Sequence, residues 1–187
     1  MFNSIDLKKH YGLSDSELEY TLNCYIPENI KANNYFLKQG RISDKIGFVK
    51  NGLFRAFFYN DEADEITTQF YPTGSIIIPF NSFNNQTPSK ENIIAVDNVE
   101  LMVISYQKQK ELYGKILQWN LICKDLADYK SREMIERAIQ FQTLSATERY
   151  NLFCNQFPEV IQKVALRHIA SYLGIDIATL SRIRKKR

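Results

Sequence analysis

The spacing of apolar residues changes once along the chain, at Ser105, and this change limits the folds open to it. Between residues 26 and 105, short apolar runs recur at intervals of roughly ten residues, with turn residues between them. From Tyr106 onward, apolar residues recur about every three to four positions, which is the period of a helix. We therefore predict an α+β protein, in which an antiparallel sandwich or barrel precedes a helical half.

Turn signals divide the β half. Asn51-Gly52 separates two apolar runs and predicts a β-hairpin, because both residues tolerate a positive φ. A turn is also predicted at 60–64, and the polar, proline-containing segment 81–90 is predicted to be a surface loop. The predicted strands are 34–38, 45–50, 53–59, 65–71, 76–78, 91–96 and 100–105.

Two capping boxes, Ser14 with Glu17 and Ser145 with Glu148, mark helix starts. Between them, residues 115–143 contain neither Gly nor Pro and predict a helix of about 28 residues, roughly 42 Å long. Its apolar stripe exceeds what one small domain needs, so we expect a second copy of the chain to cover it. Packing of the stripe on its own β domain is the alternative. The stripe consists of Leu112, Ile116, Trp119, Cys123, Leu126 and Tyr129.

Residues 164–187 have the pattern of a helix-turn-helix. Gly174 is placed to end the first helix with a positive φ, and Asp176 to cap the second. Leu180 and Ile183 fall on the side that faces the first helix. The opposite arc consists of Ile177, Ala178, Ser181, Arg182 and Lys185. Such an arc is what a recognition helix presents to the major groove of DNA.

The charge distribution agrees with this interpretation. The net charge is +3, but residues 163–187 carry seven basic residues against one acid, which leaves −3 for residues 1–162. We predict that Arg182 makes a bidentate contact to guanine and that the basic residues after it neutralise phosphates. The predicted DNA-contacting residues are Arg167, Ile177, Ala178, Thr179, Ser181, Arg182, Arg184, Lys185 and Lys186.

The string IASYLGI at 169–175, followed by TLSRIR at 179–184, resembles the CRP/FNR family of regulators, and in particular a Bacteroidetes-type subgroup. The resemblance implies a β-roll sensor domain of jelly-roll topology at 1–114, a dimerisation helix at 115–143 and a DNA-binding domain at 144–187. It also implies a homodimer on a palindromic operator, with Arg182 in the position of the family's base-reading arginine. RNA polymerase and a small-molecule effector are further candidate partners.

In one respect the chain departs from the family pattern. The family's phosphate-binding cassette uses a Gly-Glu-Leu motif and an Arg-Ser pair, but no Glu follows Gly74 here, and Ser89-Lys90-Glu91 stands where the pair is expected. Lysine lacks the planar fork of arginine, and burying a phosphate without that partner is costly. We therefore predict no useful affinity for cyclic AMP. The candidate effector pocket consists of Gly74, Ile78, Phe80 and Lys90.

Other functions are disfavoured by composition. A cupin-type metal oxygenase needs two or three His ligands, but the chain has only His10, expected at the surface, and His168, expected to meet solvent or phosphate. The three cysteines lack metal-ligand spacing and are expected to be reduced, mostly buried thiols. We predict no cofactor, no metal and no enzymatic activity. With no apolar targeting or transmembrane run, the expected location is the cytoplasm.

A second alternative is a ligand-sensing or adaptor module whose helix-turn-helix contacts protein rather than DNA. The basic cluster 184–187 argues against it, because unpaired basic charge suits phosphate better than a protein surface.

Overall fold

The computed structural model describes residues 4–185, within which the chain forms eight strands and nine helices. The strands are β1 (Ile26–Ile30), β2 (Tyr35–Leu37), β3 (Lys45–Asn51), β4 (Phe54–Tyr59), β5 (Glu65–Tyr71), β6 (Ile76–Ile77), β7 (Asn92–Ala95) and β8 (Val99–Ser105). The helices are α1 (Ser4–Tyr11), α2 (Asp15–Asn23), α3 (Phe80–Asn85), α4 (Tyr106–Lys115), α5 (Leu117–Thr143), α6 (Ala146–Gln156), α7 (Pro158–Lys163), α8 (Leu166–Leu173) and α9 (Ile177–Lys185).

The strands make two antiparallel four-stranded sheets, with orders β1-β8-β3-β6 and β2-β7-β4-β5. Their facing sides share one apolar core, to which the first sheet contributes Val49 and Leu101 and the second Phe54 and Ile93. The predicted α+β class is confirmed, with an antiparallel β-roll followed by helices. Both capping boxes are also present, at the starts of α2 and α6.

The hairpin predicted at Asn51-Gly52 is wrong. β3 and β4 lie in different sheets, so the turn carries the chain across the sandwich. Gly52 has φ of 102°, and a Cβ there would lie 2.8 Å from the backbone oxygen of Asn98. The glycine is thus required by a positive φ and a close approach, as in a hairpin, although the flanking strands pair elsewhere. The next turn does close a hairpin, because the Asn60 amide donates to the Asp64 carbonyl across the β4–β5 connection.

The segment predicted as a surface loop at 81–90 is partly helical. α3 buries Ser82 and Phe83, and Phe83 joins a core cluster with Leu112 and Trp119. Burial of this one aromatic ring against distant helices outweighs the polar composition of the segment, which favours a loop.

The long helix exists, but its apolar stripe is used differently from what we expected. Leu112, Ile116 and Trp119 are buried in the chain's own core, so the alternative of packing on the β domain is correct for this part. Helix α5 begins at Leu117, because Ile116 has an extended backbone. A different set of large apolar residues on α5 is exposed, and it includes Leu117 and Met134 at 82% and 73% exposure. Four of these residues share one side of the helix, here called the open face of α5: Leu117, Leu121, Ile135 and Ile139.

The C-terminal helices pack on the β-roll. A second core cluster joins Leu53 and Phe70 of the β-roll to buried residues of α6–α9. The ring of Phe70 lies 5.2 Å from that of Tyr172 and 5.9 Å from that of Phe153, between ring centroids. Over residues 4–185, no helix has the combined length and apolarity that crossing a bilayer requires.

Candidate nucleic-acid interface

The corner between α8 and α9 is built around Gly174. This residue ends α8 with φ of 64°, and its amide donates to the Ser171 carbonyl. A Cβ at this position would lie 2.7 Å from Cε1 of Phe141 on α5, so the corner needs glycine for both backbone and space. Ile175, half-buried, then packs into the second core cluster.

Asp176 caps α9, as predicted. Its Oδ1 accepts a hydrogen bond of 2.7 Å from the Thr179 amide. The inner side of α9 is held by Leu180, which is fully buried, and by Ile183, which is half-buried against the same cluster. These contacts fix which side of α9 faces outward.

The outer side of α9 carries a short chain of hydrogen bonds. The Thr179 hydroxyl donates to Asp176 Oδ2 at 2.7 Å and accepts from Arg182 Nη2 at 2.9 Å. The bonds from Thr179 hold the pKa of the Asp176 carboxyl below its usual value. Arg182 is exposed, and its guanidinium is therefore directed along the outer surface of α9 rather than into the core.

Most of the predicted DNA-contacting residues come together on α9. Ile177, Ala178, Arg182, Arg184 and Lys185 are exposed, and Thr179 and Ser181 are half-buried. Arg167 is exposed on α8, where its Nε donates to Nε2 of His168 at 3.2 Å. Lys186 lies outside the described residues.

The candidate effector-pocket residues lie on several segments of the β-roll. Gly74 closes the turn before β6, where its amide donates to the Val49 carbonyl. Ile78 packs in the core cluster of Phe83, Phe80 is the first residue of α3, and Lys90 is exposed. The buried hydroxyl of Ser82 donates to the Thr87 carbonyl, so it is engaged within the segment itself.

A junction between α8 and the sheet was not predicted from the sequence. The β4–β5 register shifts at Ala56/Phe57, which leaves Thr68 without a partner in β4. Just before this bulge in the sequence, Ser171 of α8 accepts from the Thr67 amide at 2.9 Å and donates to the Glu65 carbonyl at 3.1 Å. β5 is an edge strand, and a side-chain hydroxyl thus satisfies backbone groups that no neighbouring strand reaches.

Arg137 of α5 completes this junction. Its guanidinium donates to the carbonyl of Thr68 and, at 2.9 Å, to the carbonyl of Tyr172. The group also lies 3.9 Å from the centroid of the Tyr172 ring. Burial lowers the pKa of Arg137. The signal that the sequence offered was the position of Arg137, about three helical turns after Leu126 of the predicted stripe.

His168 also belongs to this junction, rather than meeting solvent or phosphate as expected. It is half-buried, and its Nδ1 lies 3.6 Å from the Glu65 carboxylate, which forms an ion pair with buried Arg55. Burial, followed by the charge of Arg55, lowers the pKa of His168 to about 4. The imidazole is therefore neutral at neutral pH. His10 is exposed, as expected.

The described part of the chain contains no group of three or more His, Cys, Asp or Glu residues that could hold a metal ion. Cys24 and Cys154 are buried and Cys123 is half-buried, and all three are free thiols.

Comparisons with known proteins agree with this architecture. Residues 27–115 match the family model of the cyclic nucleotide-binding domain. Among solved structures, FixK2 from Bradyrhizobium japonicum is similar with a TM-score of 0.74 and 12% identity, covering 87% of this chain and 83% of its own. A regulator ascribed to the CRP/FNR family from Eubacterium rectale has a TM-score of 0.74 and 15% identity, covering 99% and 87%. The chain has the fold of the CRP/FNR regulators.

A third structure with this CRP/FNR fold is the c-di-GMP-responsive global regulator CLP from Xanthomonas campestris, with a TM-score of 0.70, 15% identity and coverage of 92% and 91%. Comparison with curated proteins gives no match. The family resemblance inferred from the C-terminal strings is thus confirmed at the level of the CRP/FNR fold, and the Bacteroidetes-type subgroup stays a prediction.

Proposed function

We propose that this protein is a sequence-specific DNA-binding transcription regulator that acts as a homodimer. The observation that carries the proposal is the outer face of α9, where Arg182 is exposed and held by Thr179 while Leu180 anchors the opposite side in the core. An exposed, oriented guanidinium with Arg184 and Lys185 beside it suits the base edges and phosphates of a duplex. The CRP/FNR fold supports the same function.

We propose that the dimer forms through the open face of α5. Ile135 follows Leu121 by two heptads, and Ile139 follows Ile135 by about one helical turn, so the three residues share one side of the helix. Apolar side chains in such a row are stabilised when a second copy covers them. A two-fold dimer would place two recognition helices on successive major grooves of a palindrome.

Light scattering tests the dimer. We expect a dimer at micromolar concentration, and Ile135→Asp should shift the equilibrium toward monomer because it places a charge in the apolar contact. Glu136→Gln, next to it on α5, should leave the mass unchanged. A wild-type monomer under these conditions would contradict the dimer.

We further propose that the β-roll does not bind cyclic AMP with useful affinity. Beyond the missing Glu and Arg, the buried polar groups near α3 are engaged internally. Ser82 accepts from the Ser43 amide, and Gln86 donates to the carbonyls of Ser43 and Phe83. Isothermal titration should show no low-micromolar binding.

RNA polymerase and an effector of another class stay candidate partners, and the cytoplasm stays the expected location.

Gel shifts on duplex DNA distinguish this function from that of an adaptor that binds protein. Binding that weakens steeply between about 50 and 200 mM salt would support the regulator, and no binding at low salt would support the adaptor.

On a duplex selected from a random pool, Arg182→Ala should lose about 1–3 kcal/mol of affinity and relax the preference at one position of each half-site. Lys185→Ala should instead weaken all sequences about equally. An unchanged preference in Arg182→Ala would overturn the docking of α9.

A further inference from the structure

The first turn of α9 presents an apolar surface outward. Ile177 is 51% exposed and Ala178 is also exposed. Leu180, on the inner side of the same helix, is by contrast fully buried. The neighbouring polar side chains of this turn, Asp176 and Thr179, are bonded to each other, and Thr179 also accepts from Arg182. The side chains left free at the start of the helix therefore have no hydrogen-bonding atom.

We infer that Ile177 and Ala178 contact the 5-methyl group of thymine in the major groove, so that each half-site of the operator contains thymine at this position. The inference rests on the proposed DNA-binding function and specifies what this turn reads.

The chemistry of the groove supports thymine over the other bases. The N-terminal residues of a recognition helix lie nearest the base edges, and the thymine methyl is the one apolar group that those edges offer. An aliphatic side chain against guanine, adenine or cytosine would instead cover hydrogen-bond donors and acceptors of the base. These groups would lose their hydrogen bonds to water and gain none from the protein. Ile177 thus favours thymine by attraction and disfavours the other bases by desolvation.

The position of Arg182 limits where the thymine lies. Arg182 lies five positions after Ile177, a rise of about 7.5 Å along the helix, which corresponds to roughly two base pairs along a strand. We therefore expect the thymine within about two base pairs of the guanine that Arg182 contacts. The basic residues Arg184 and Lys185, at the far end of the helix, lie beyond both bases and suit phosphates.

Replacing thymine by uracil tests this, because the substitution removes the methyl group alone. The full chain is used with a duplex selected from a random pool, and each thymine of the half-site is replaced in turn. For the wild type, uracil at the contacted position should weaken binding about fourfold, the value of one buried methyl-sized group. Ile177→Ala should bind the thymine duplex more weakly and lose most of this ratio, whereas Ile177→Val should keep part of it.

Lys185→Ala is the matched control, since a phosphate contact should weaken both duplexes equally and keep the thymine-to-uracil ratio. Equal melting temperatures of the variants would establish that they fold. If the wild type binds duplex DNA but tolerates uracil at every position, or if Ile177→Ala keeps the full ratio, this inference is wrong while the proposed function stands. Failure to bind any duplex at low salt would overturn the proposed function itself.

Discussion

At Gly174 the chain leaves α8 with a φ of 64°, and the place where a side chain would begin is already occupied by the ring of Phe141. Gly114, by contrast, lies exposed within α4, has no positive φ and has open space around it. The two glycines therefore differ in what they contribute. The first is required by the corner, and the second only weakens a helix.

We expect Gly174→Ala to lower the free energy of unfolding by about 1–2 kcal/mol, because alanine is strained in the left-handed region. Gly114→Ala should raise it by roughly 0.5–1 kcal/mol, because alanine loses less entropy in a helix. Urea denaturation measures both. A stabilised Gly174→Ala variant would show that the corner has another backbone conformation.

Signals that act over a few residues were predictable. Ser14, Ser145 and Asp176 form hydrogen bonds to amides within the next turn, and Gly174 supplies its own backbone angle, so each can be inferred from its neighbours. The face of α9 that carries Arg182 followed from the same local periodicity.

Among the elements, sequence signals failed where the outcome depended on distant partners. Asn51-Gly52 has the composition of a hairpin, but β3 pairs with β6 and β8 while β4 pairs with β5 and β7. Both strands bury their apolar sides in the same core from opposite sheets, and no local pattern distinguishes that arrangement from direct pairing. The prediction for the apolar stripe of the long helix failed for a similar reason. The spacing of apolar residues shows that a face is to be covered, but not which surface covers it.

The contact between α8 and β5 gives an element-scale prediction. Ser171→Ala removes the side chain that bonds the Thr67 amide and the Glu65 carbonyl, leaving both without that partner. We expect a loss of about 1–3 kcal/mol in the free energy of unfolding. Thr147→Ala, at an exposed position of α6, should change it by less than about 0.5 kcal/mol. Equal effects in the two variants would mean that water replaces the Ser171 bonds without loss.

At the scale of the whole molecule, the β-roll and the C-terminal helices share buried side chains. Phe70 of β5 is almost fully buried among aromatic rings from α6 and α8, and Leu53 joins the same cluster. Asp97 adds a polar connection, because its Oδ1 accepts from the Leu53 amide and its Oδ2 binds Lys163 of α7 at 2.7 Å. The two halves should therefore unfold together.

Trp119 makes this testable, because it is the single tryptophan and is buried in a different cluster from Phe70. Its fluorescence and the far-UV circular dichroism of the helices should give coincident transitions. Phe70→Ala should move both by the same amount, about 3–5 kcal/mol, whereas Phe58→Ala, at an exposed position, should have a small effect. Separate transitions would contradict a shared core.

Arg137 occupies the point where three parts of the chain converge. It belongs to the long helix and donates one hydrogen bond to the bulged strand, at the Thr68 carbonyl. It donates another to the Tyr172 carbonyl in the last turn of α8, just before the corner at Gly174. Hydrogen bonds of this kind weaken steeply beyond about 3.2 Å, so sliding any one part by an ångström would break a bond to another. A movement that starts in the sheet, the long helix or the helix pair must therefore either break one of the Arg137 hydrogen bonds or move the other two parts with it.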